Sequence, residues 1–145
     1  MARDLRVIII KMADRVHNIQ TLIYHPKREK RIRIAEETLM VYVPVAKRLG
    51  LYVFQGFLEN GAFKILEPKE YKRIQNFVMT SYGDITNFKD IGIERLEELC
   101  KAEGVAYKDI KGRLKSPYRI YKKLLKYQTN DISKVMDILA FRVVS

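Results

Sequence analysis

The chain has 145 residues, is 48% apolar and 31% charged, and carries 28 basic against 17 acidic side chains. That is long and apolar enough to bury a core, and it excludes an intrinsically disordered chain. One cysteine (Cys100) and two histidines (His17 and His25) exclude an intrachain disulfide and a zinc finger.

The longest uninterrupted apolar run, Leu39 to Val43, is too short to span a bilayer. Arg3, Asp4 and Arg6 interrupt any signal-peptide core. These features predict a soluble, basic, cytoplasmic chain without a membrane partner. The charge is uneven. Residues 1–50 hold 11 basic and 5 acidic side chains, residues 51–100 hold 6 and 8, and residues 101–145 hold 11 and 4. Two basic ends around a near-neutral middle suggest two anion-facing surfaces.

In chain order, Leu5, Ile8, Ile9, Met12, Val16, Ile19 and Ile23 form a helical stripe that ends near His25 and Pro26. A basic connector, Lys27 to Arg31, leads into a second stripe of Ile32, Ala35, Leu39, Tyr42, Ala46 and Leu49, with Gly50 placed to close it. Pro44 lies inside that stripe and should kink or divide the helix. Val53, Phe57, Leu58, Phe63, Ile65 and Leu66 predict a third helix, weakened by Gly56 and Gly61. Pro68 suits the first position of a helix running to about Thr80. Tyr82-Gly83-Asp84 reads as a break. Ile93 to Cys100 is helical, with Ile93, Leu96 and Leu99 inside and Glu94, Glu97 and Glu98 outside. It ends at Ala102 to Gly104.

The character then changes. Val105 to Ile110 suggests a short strand, and Gly112 a turn. Ser116-Pro117 makes an N-cap and first-turn pair for a helix to about Lys126. Ile138 to Val144 reads as a buried strand. The fold class is therefore mainly α, followed by an incomplete β-α-β start of an α/β domain.

Two constellations carry chemistry. Asp14, Asn18 and Thr21, spaced by four and three, share one helix face. A carboxylate, an amide and a hydroxyl there could hold a metal and a polar ligand, or be a solvated surface. One carboxylate falls short of the three or so protein ligands of a catalytic metal site. The second is a basic face of Lys115, Arg119, Lys122 and Lys126, with Lys123 adjacent and Asp137 ahead of the last strand.

The run Arg6-Val7-Ile8-Ile9-Ile10-Lys11-Met12-Ala13-Asp14-Arg15-Val16-His17-Asn18 closely resembles the last metal-binding motif of the RelA/SpoT family hydrolase domain. The resemblance continues through Arg33-Ile34-Ala35-Glu36-Glu37-Thr38-Leu39, Tyr42 to Gly50, and Phe63 to Tyr71. It extends over Gly112-Arg113-Leu114-Lys115-Ser116-Pro117-Tyr118-Arg119-Ile120-Tyr121-Lys122-Lys123 and Asp137 to Val144, nearly end to end and in order. This family synthesises and hydrolyses guanosine tetra- and pentaphosphate, (p)ppGpp, in the stringent response.

The resemblance implies three segments: residues 1–50 as the C-terminal part of a His-Asp hydrolase domain, 51–104 as a helical connector, and 105–145 as the N-terminal part of a synthetase domain. It implies Asp14 as a Mn2+ ligand, with Asn18 and Thr21 lining the nucleotide pocket, and Arg15 as a brace. His17 is expected to be packed or hydrogen-bonded rather than a ligand. Arg113 is implied near the adenine of ATP, Lys115 and Lys123 at its phosphates, and Asp137 as the catalytic Mg2+-binding aspartate. Arg142 is left between phosphate support and a fold role. ATP, GDP or GTP, and (p)ppGpp are the implied substrates, and the ribosome is a possible partner of a longer parent.

Arg119 stands where the family usually has serine. The upstream hydrolase ligands and the downstream synthetase residues have no counterparts in this sequence, so the chain reads as truncated and inactive alone. A different class, a small basic RNA- or ribosome-binding module with Tyr107, Tyr118, Tyr121 and Tyr127 stacking on bases, also fits the charge. A third reading makes residues 51–104 a regulatory connector between two sites.

Overall fold

The computed structural model describes residues 4–83 and 85–145, the side chains of residues 85 and 86 excepted. The backbone divides into two units, the first ending at Tyr71 and the second beginning at Lys72.

The first unit is helical: α1 (Leu5–Thr21), a 3-10 turn (Leu22–Tyr24), α2 (Arg28–Glu37), a π turn (Thr38–Tyr42), α3 (Val43–Arg48) and α4 (Tyr52–Leu66). Asp4 starts α1 as its N-cap, accepting from the Arg6 N–H at 2.9 Å. The Arg6 side chain also holds the Asp4 carboxyl below its usual range. The buried face of α1 is Met12 and Ile19, with Leu22 in the turn that follows. Leu5 and Ile23, expected in the stripe, are exposed at its two ends.

α4 packs against α1, α2 and α3. Small residues allow the approach: Ala35, Ala46 and Ala62 are fully buried, and a Cβ on Gly61 would lie 2.7 Å from Ile19 Cγ2. Gly61 is thus a contact point of two helices, whereas Gly56 on the same helix faces open space. The apolar stripe of α4 differs from its sequence reading. Val53 and Phe57 are exposed, while Gln55 and Glu59 are buried one turn apart, with Gln55 Nε2 donating to Glu59 Oε1 at 2.8 Å.

Pro44 divides its helix as expected. It has no N–H to give the Met40 carbonyl, and its ring would press on that carbonyl in α geometry. The backbone answers with the π turn, in which Val43 N–H donates to the Thr38 carbonyl five residues back. Buried Thr38 ties its hydroxyl to the Ile34 carbonyl at 2.6 Å. At the far end Gly50, with φ +70°, closes α3: its N–H reaches Lys47 O at 3.2 Å, and Leu51 N–H reaches Ala46 O at 2.9 Å.

α5 (Pro68–Tyr82) begins at Pro68 as expected and carries the chain from one unit into the next. The break after it is marked by Gly83, with φ +53°; Asp84, the last residue of the expected break, lies outside the described residues.

The second unit continues with α6 (Ile85–Ala102), β1 (Asp109–Leu114), α7 (Pro117–Lys126), a 3-10 turn (Ile132–Lys134) and β2 (Leu139–Val144). α6 packs on β1, and Gly92 lies so close under Phe141 that a Cβ would fall 2.1 Å from the ring. The inward face of α6 is shifted from its reading: Cys100 is buried and Leu99 is exposed.

β1 and β2 pair antiparallel, from Asp109 opposite Val144 to Leu114 opposite Leu139. Gly112, expected as a turn, sits mid-strand opposite Phe141, whose ring covers it 3.1 Å from where a Cβ would stand. The first strand accordingly begins at Asp109 rather than Val105. β2, expected to be buried, is largely exposed: β1 pairs its backbone along one edge, and pairing along an edge does not by itself cover the side chains on the two faces.

Candidate functional site

Asp14, Asn18 and Thr21 all lie on one exposed face of α1, as their spacing required. The Thr21 hydroxyl donates back to the carbonyls of His17 (3.1 Å) and Asn18 (3.3 Å), a local bond within the helix end. Arg15 lies on the neighbouring side and is only 13% exposed. It pairs with Glu37 at 3.3 Å and lies 4.1 Å over the Tyr42 ring, which makes it a brace between α1 and the α2–π turn segment.

His17 departs from expectation: it is exposed and neither packed nor hydrogen-bonded through its ring among the described residues. Its position, one turn before Thr21, turns it to solvent. His25 instead accepts at Nδ1 from the Lys27 N–H at 3.2 Å. No three His, Cys, Asp or Glu side chains converge among the described residues. The α1 face therefore presents one carboxylate and does not by itself compose a metal centre.

The second unit brings three of the anticipated residues together. Lys115 lies one residue beyond the end of β1, and its N–H donates to the Ile138 carbonyl at 2.7 Å, prolonging the ladder. That bond sets Lys115 beside Asp137, immediately ahead of β2. Ser116 caps α7 by accepting from the Arg119 N–H at 3.4 Å, and Pro117 supplies a preset first-turn φ. Buried Ile120 and Leu124 fix the rotation of α7 and so aim Lys123 at the same point.

Both lysines meet one oxygen. Lys115 Nζ bonds Asp137 Oδ2, and Lys123 Nζ lies 3.2 Å from that atom. Lys115 is 15% exposed, Lys123 33% and Asp137 49%, so the pairings are screened to different degrees. The Lys115 bond, then that of Lys123, holds the Asp137 carboxyl below the usual carboxylate range. Lys123 Nζ also reaches Tyr127 Oη at 3.3 Å and lies 5.5 Å from that ring centroid. The Tyr127 bond and Asp137 raise the Lys123 ammonium above its ordinary value.

A carboxylate beside two ammoniums could share a divalent cation with phosphate oxygens, the cation taking one carboxylate from the protein. Two such ammoniums could donate charge-assisted hydrogen bonds to phosphate oxygens.

Arg113 stands apart from this trio. It is exposed on β1 opposite Ala140, two residues and roughly 7 Å of strand from Lys115. Lys111, opposite Arg142, shares its face and is paired with Asp109 at 3.2 Å. The basic helix face is also redrawn: Lys115 is on the strand side of Ser116, and Arg119 is half-buried, so Lys122 and Lys126 are the exposed cations of α7. Tyr127 was not anticipated in this cluster. Its spacing of four from Lys123 at a helix end was the available signal.

Among the described residues no helix is long and apolar enough to cross a membrane. A family model described as an HD domain matches residues 1–52. HD domains as a class are divalent-metal-dependent hydrolases. The chain is 39% identical, over 99% of its length, to a probable guanosine-3′,5′-bis(diphosphate) 3′-pyrophosphohydrolase of Synechocystis. It is 37% identical over 100% of its length to a GTP pyrophosphokinase of Myxococcus xanthus, and 37% identical over 99% to a guanosine-3′,5′-bis(diphosphate) 3′-pyrophosphohydrolase of Borreliella burgdorferi. It spans only about a fifth of these relatives: 19%, 19% and 21% of their lengths. Enzyme names over the whole chain weigh against a small RNA-binding module. Over nearly its whole length the chain is thus similar to (p)ppGpp synthetases and hydrolases of the RelA/SpoT type, and its first helices match an HD domain.

Proposed function

We propose that this chain is the stretch of a (p)ppGpp synthetase/hydrolase that joins its two catalytic domains and carries part of each site. The observation that carries the reading is the meeting of Lys115, Lys123 and Asp137 at the end of the β1–β2 ladder. Synthesis moves the pyrophosphoryl group of ATP to the 3′-hydroxyl of GDP or GTP. Fixed cations at the phosphates stabilise the charge that builds there. Lys115, its stem buried, is the rigid contact. Lys123, held by Tyr127, is the second. Arg113 extends along β1 toward the base. Mg2+, held by Asp137 together with phosphate oxygens, would neutralise phosphate charge and align the groups.

In the hydrolase half, Asp14 offers one carboxylate toward Mn2+, and Asn18 and Thr21 line the path of the nucleotide. Its other metal ligands are supplied by the longer enzyme, and no step is assigned to these residues alone. A cytoplasmic setting suits these nucleotides. Ribosome contact belongs to the longer parent.

The test uses the parent enzyme. Asp14→Ala should abolish release of pyrophosphate from ppGpp and spare synthesis, while Asp137→Ala should do the reverse. Products are resolved by ion-exchange chromatography. Retained hydrolysis in the first or retained synthesis in the second overturns the corresponding role. The 145-residue chain should turn over neither substrate set.

A further inference from the structure

The described contacts place a negative group of the protein itself where a phosphate oxygen would sit. Asp137 Oδ2 takes both the Lys115 and the Lys123 ammonium. These are the two donors that the functional reading assigns to phosphate, and this inference rests on that reading. We propose that Asp137 is a built-in competitor for the anion site. The carboxylate holds the lysine pair in position in the free chain, and a phosphate group enters by displacing it.

Three features support exchange rather than a fixed salt bridge. Asp137 is 49% exposed, so its carboxylate can turn to solvent at small cost. Lys115 cannot follow it. Its stem is buried, and its backbone is tied to Ile138 at 2.7 Å, so its ammonium stays where an incoming anion would find it. Lys123 keeps a second contact, the Tyr127 hydroxyl at 3.3 Å, which retains it when the carboxylate leaves. The arrangement also avoids a bare pair of ammoniums in the free protein, where they would repel each other.

A consequence follows for specificity. A phosphate chain alone must expel Asp137 and then tolerate its charge nearby. A phosphate chain that brings a divalent cation converts the same carboxylate from rival to ligand. Discrimination for the metal-bound form is thus set by Asp137 before any chemistry.

The probe is inorganic tripolyphosphate, titrated calorimetrically into the 145-residue chain in EDTA. Asp137→Asn should tighten binding by about three- to tenfold, the span left after solvent screening of two partly exposed ion pairs. Asp109→Asn removes the same charge from a carboxylate paired with Lys111 and should change it by less than about twofold.

Unchanged or weaker binding in Asp137→Asn overturns the proposal, as does an equal gain in Asp109→Asn. In the unsubstituted chain, saturation with tripolyphosphate should also move the Asp137 13Cγ resonance. A stationary resonance overturns the proposal without any variant. Lys115→Met and Lys123→Met test the parent reading separately. If neither weakens binding, the phosphate site itself is misassigned. If they weaken it while Asp137→Asn does not tighten it, the site stands and the competition falls.

Discussion

Gly56 and Gly61 occupy one helix, five residues apart, and alanine should stabilise at the first but not at the second. Helix propensity alone favours alanine over glycine by about 1 kcal/mol at either position. At Gly56 a Cβ meets nothing within 4 Å, so Gly56→Ala should stabilise by up to that amount. At Gly61 the added Cβ would stand 2.7 Å from Ile19 Cγ2 and 3.0 Å from Cγ1. Ile19 is 2% exposed and β-branched, with little freedom at χ1. The strain must pass into the α1–α4 spacing. Overpacking of this kind costs about 1–3 kcal/mol. Set against the propensity gain, Gly61→Ala should be between neutral and about 2 kcal/mol destabilising.

Urea unfolding followed by far-ultraviolet circular dichroism would measure both variants. Adding Ile19→Ala removes the clashing atoms. The double variant should then be more stable than the sum of the single effects by about 1–3 kcal/mol. If Gly61→Ala stabilises as Gly56→Ala does, the close approach of α1 and α4 is refuted.

Two further outcomes follow from backbone and charge. Gln128 sits at φ +52° after α7, with Thr129 N–H bonded to Leu124 O at 3.1 Å, in the place that Gly50 fills after α3. Gln128→Gly should raise stability by about 0.5–1 kcal/mol in the same unfolding assay, and a loss would show that the side chain outweighs its strained backbone. The Asp137 carboxyl is lowered in the folded chain by Lys115 and then Lys123. It therefore contributes stability above its unfolded value, near about 3.9, and loses it as pH falls through the folded value. Asp137→Asn should flatten the acid limb of a stability–pH curve below about pH 4, and an unchanged limb would refute the pairing in solution.

Helix ends were the most legible part of this sequence, because caps depend on near neighbours. Ser116-Pro117, Gly50 and Pro44 each did what local chemistry required. Facing was legible only where apolar spacing was unbroken. α4 hid its inward side, because a buried Gln55–Glu59 pair looks polar in sequence and exposed Phe57 looks like core. Gly112 misled for the same reason: glycine reads as a turn, but here it makes room for a ring from the paired strand.

At the site, residue types were legible and their grouping was not. Spacing put Lys115 on a helix face with Arg119. The ladder extension to Ile138 took it to Asp137 instead, a pairing 22 residues apart that no local pattern encodes.

The π turn and Pro44 have a joint consequence for how this segment can change length. A π turn accommodates one more residue than the α path it replaces, and Met40, 76% exposed, contributes little to the interior there. Excising that one position would restore α geometry, but it would set the proline ring against the preceding carbonyl. A shortened chain is therefore tolerable only if Pro44 is replaced in the same event. The dependence runs one way: the extra residue cannot be lost while Pro44 stays, and so long as the proline is present it fixes the spacing from Glu37, Arg15's partner, to the Gly50 cap.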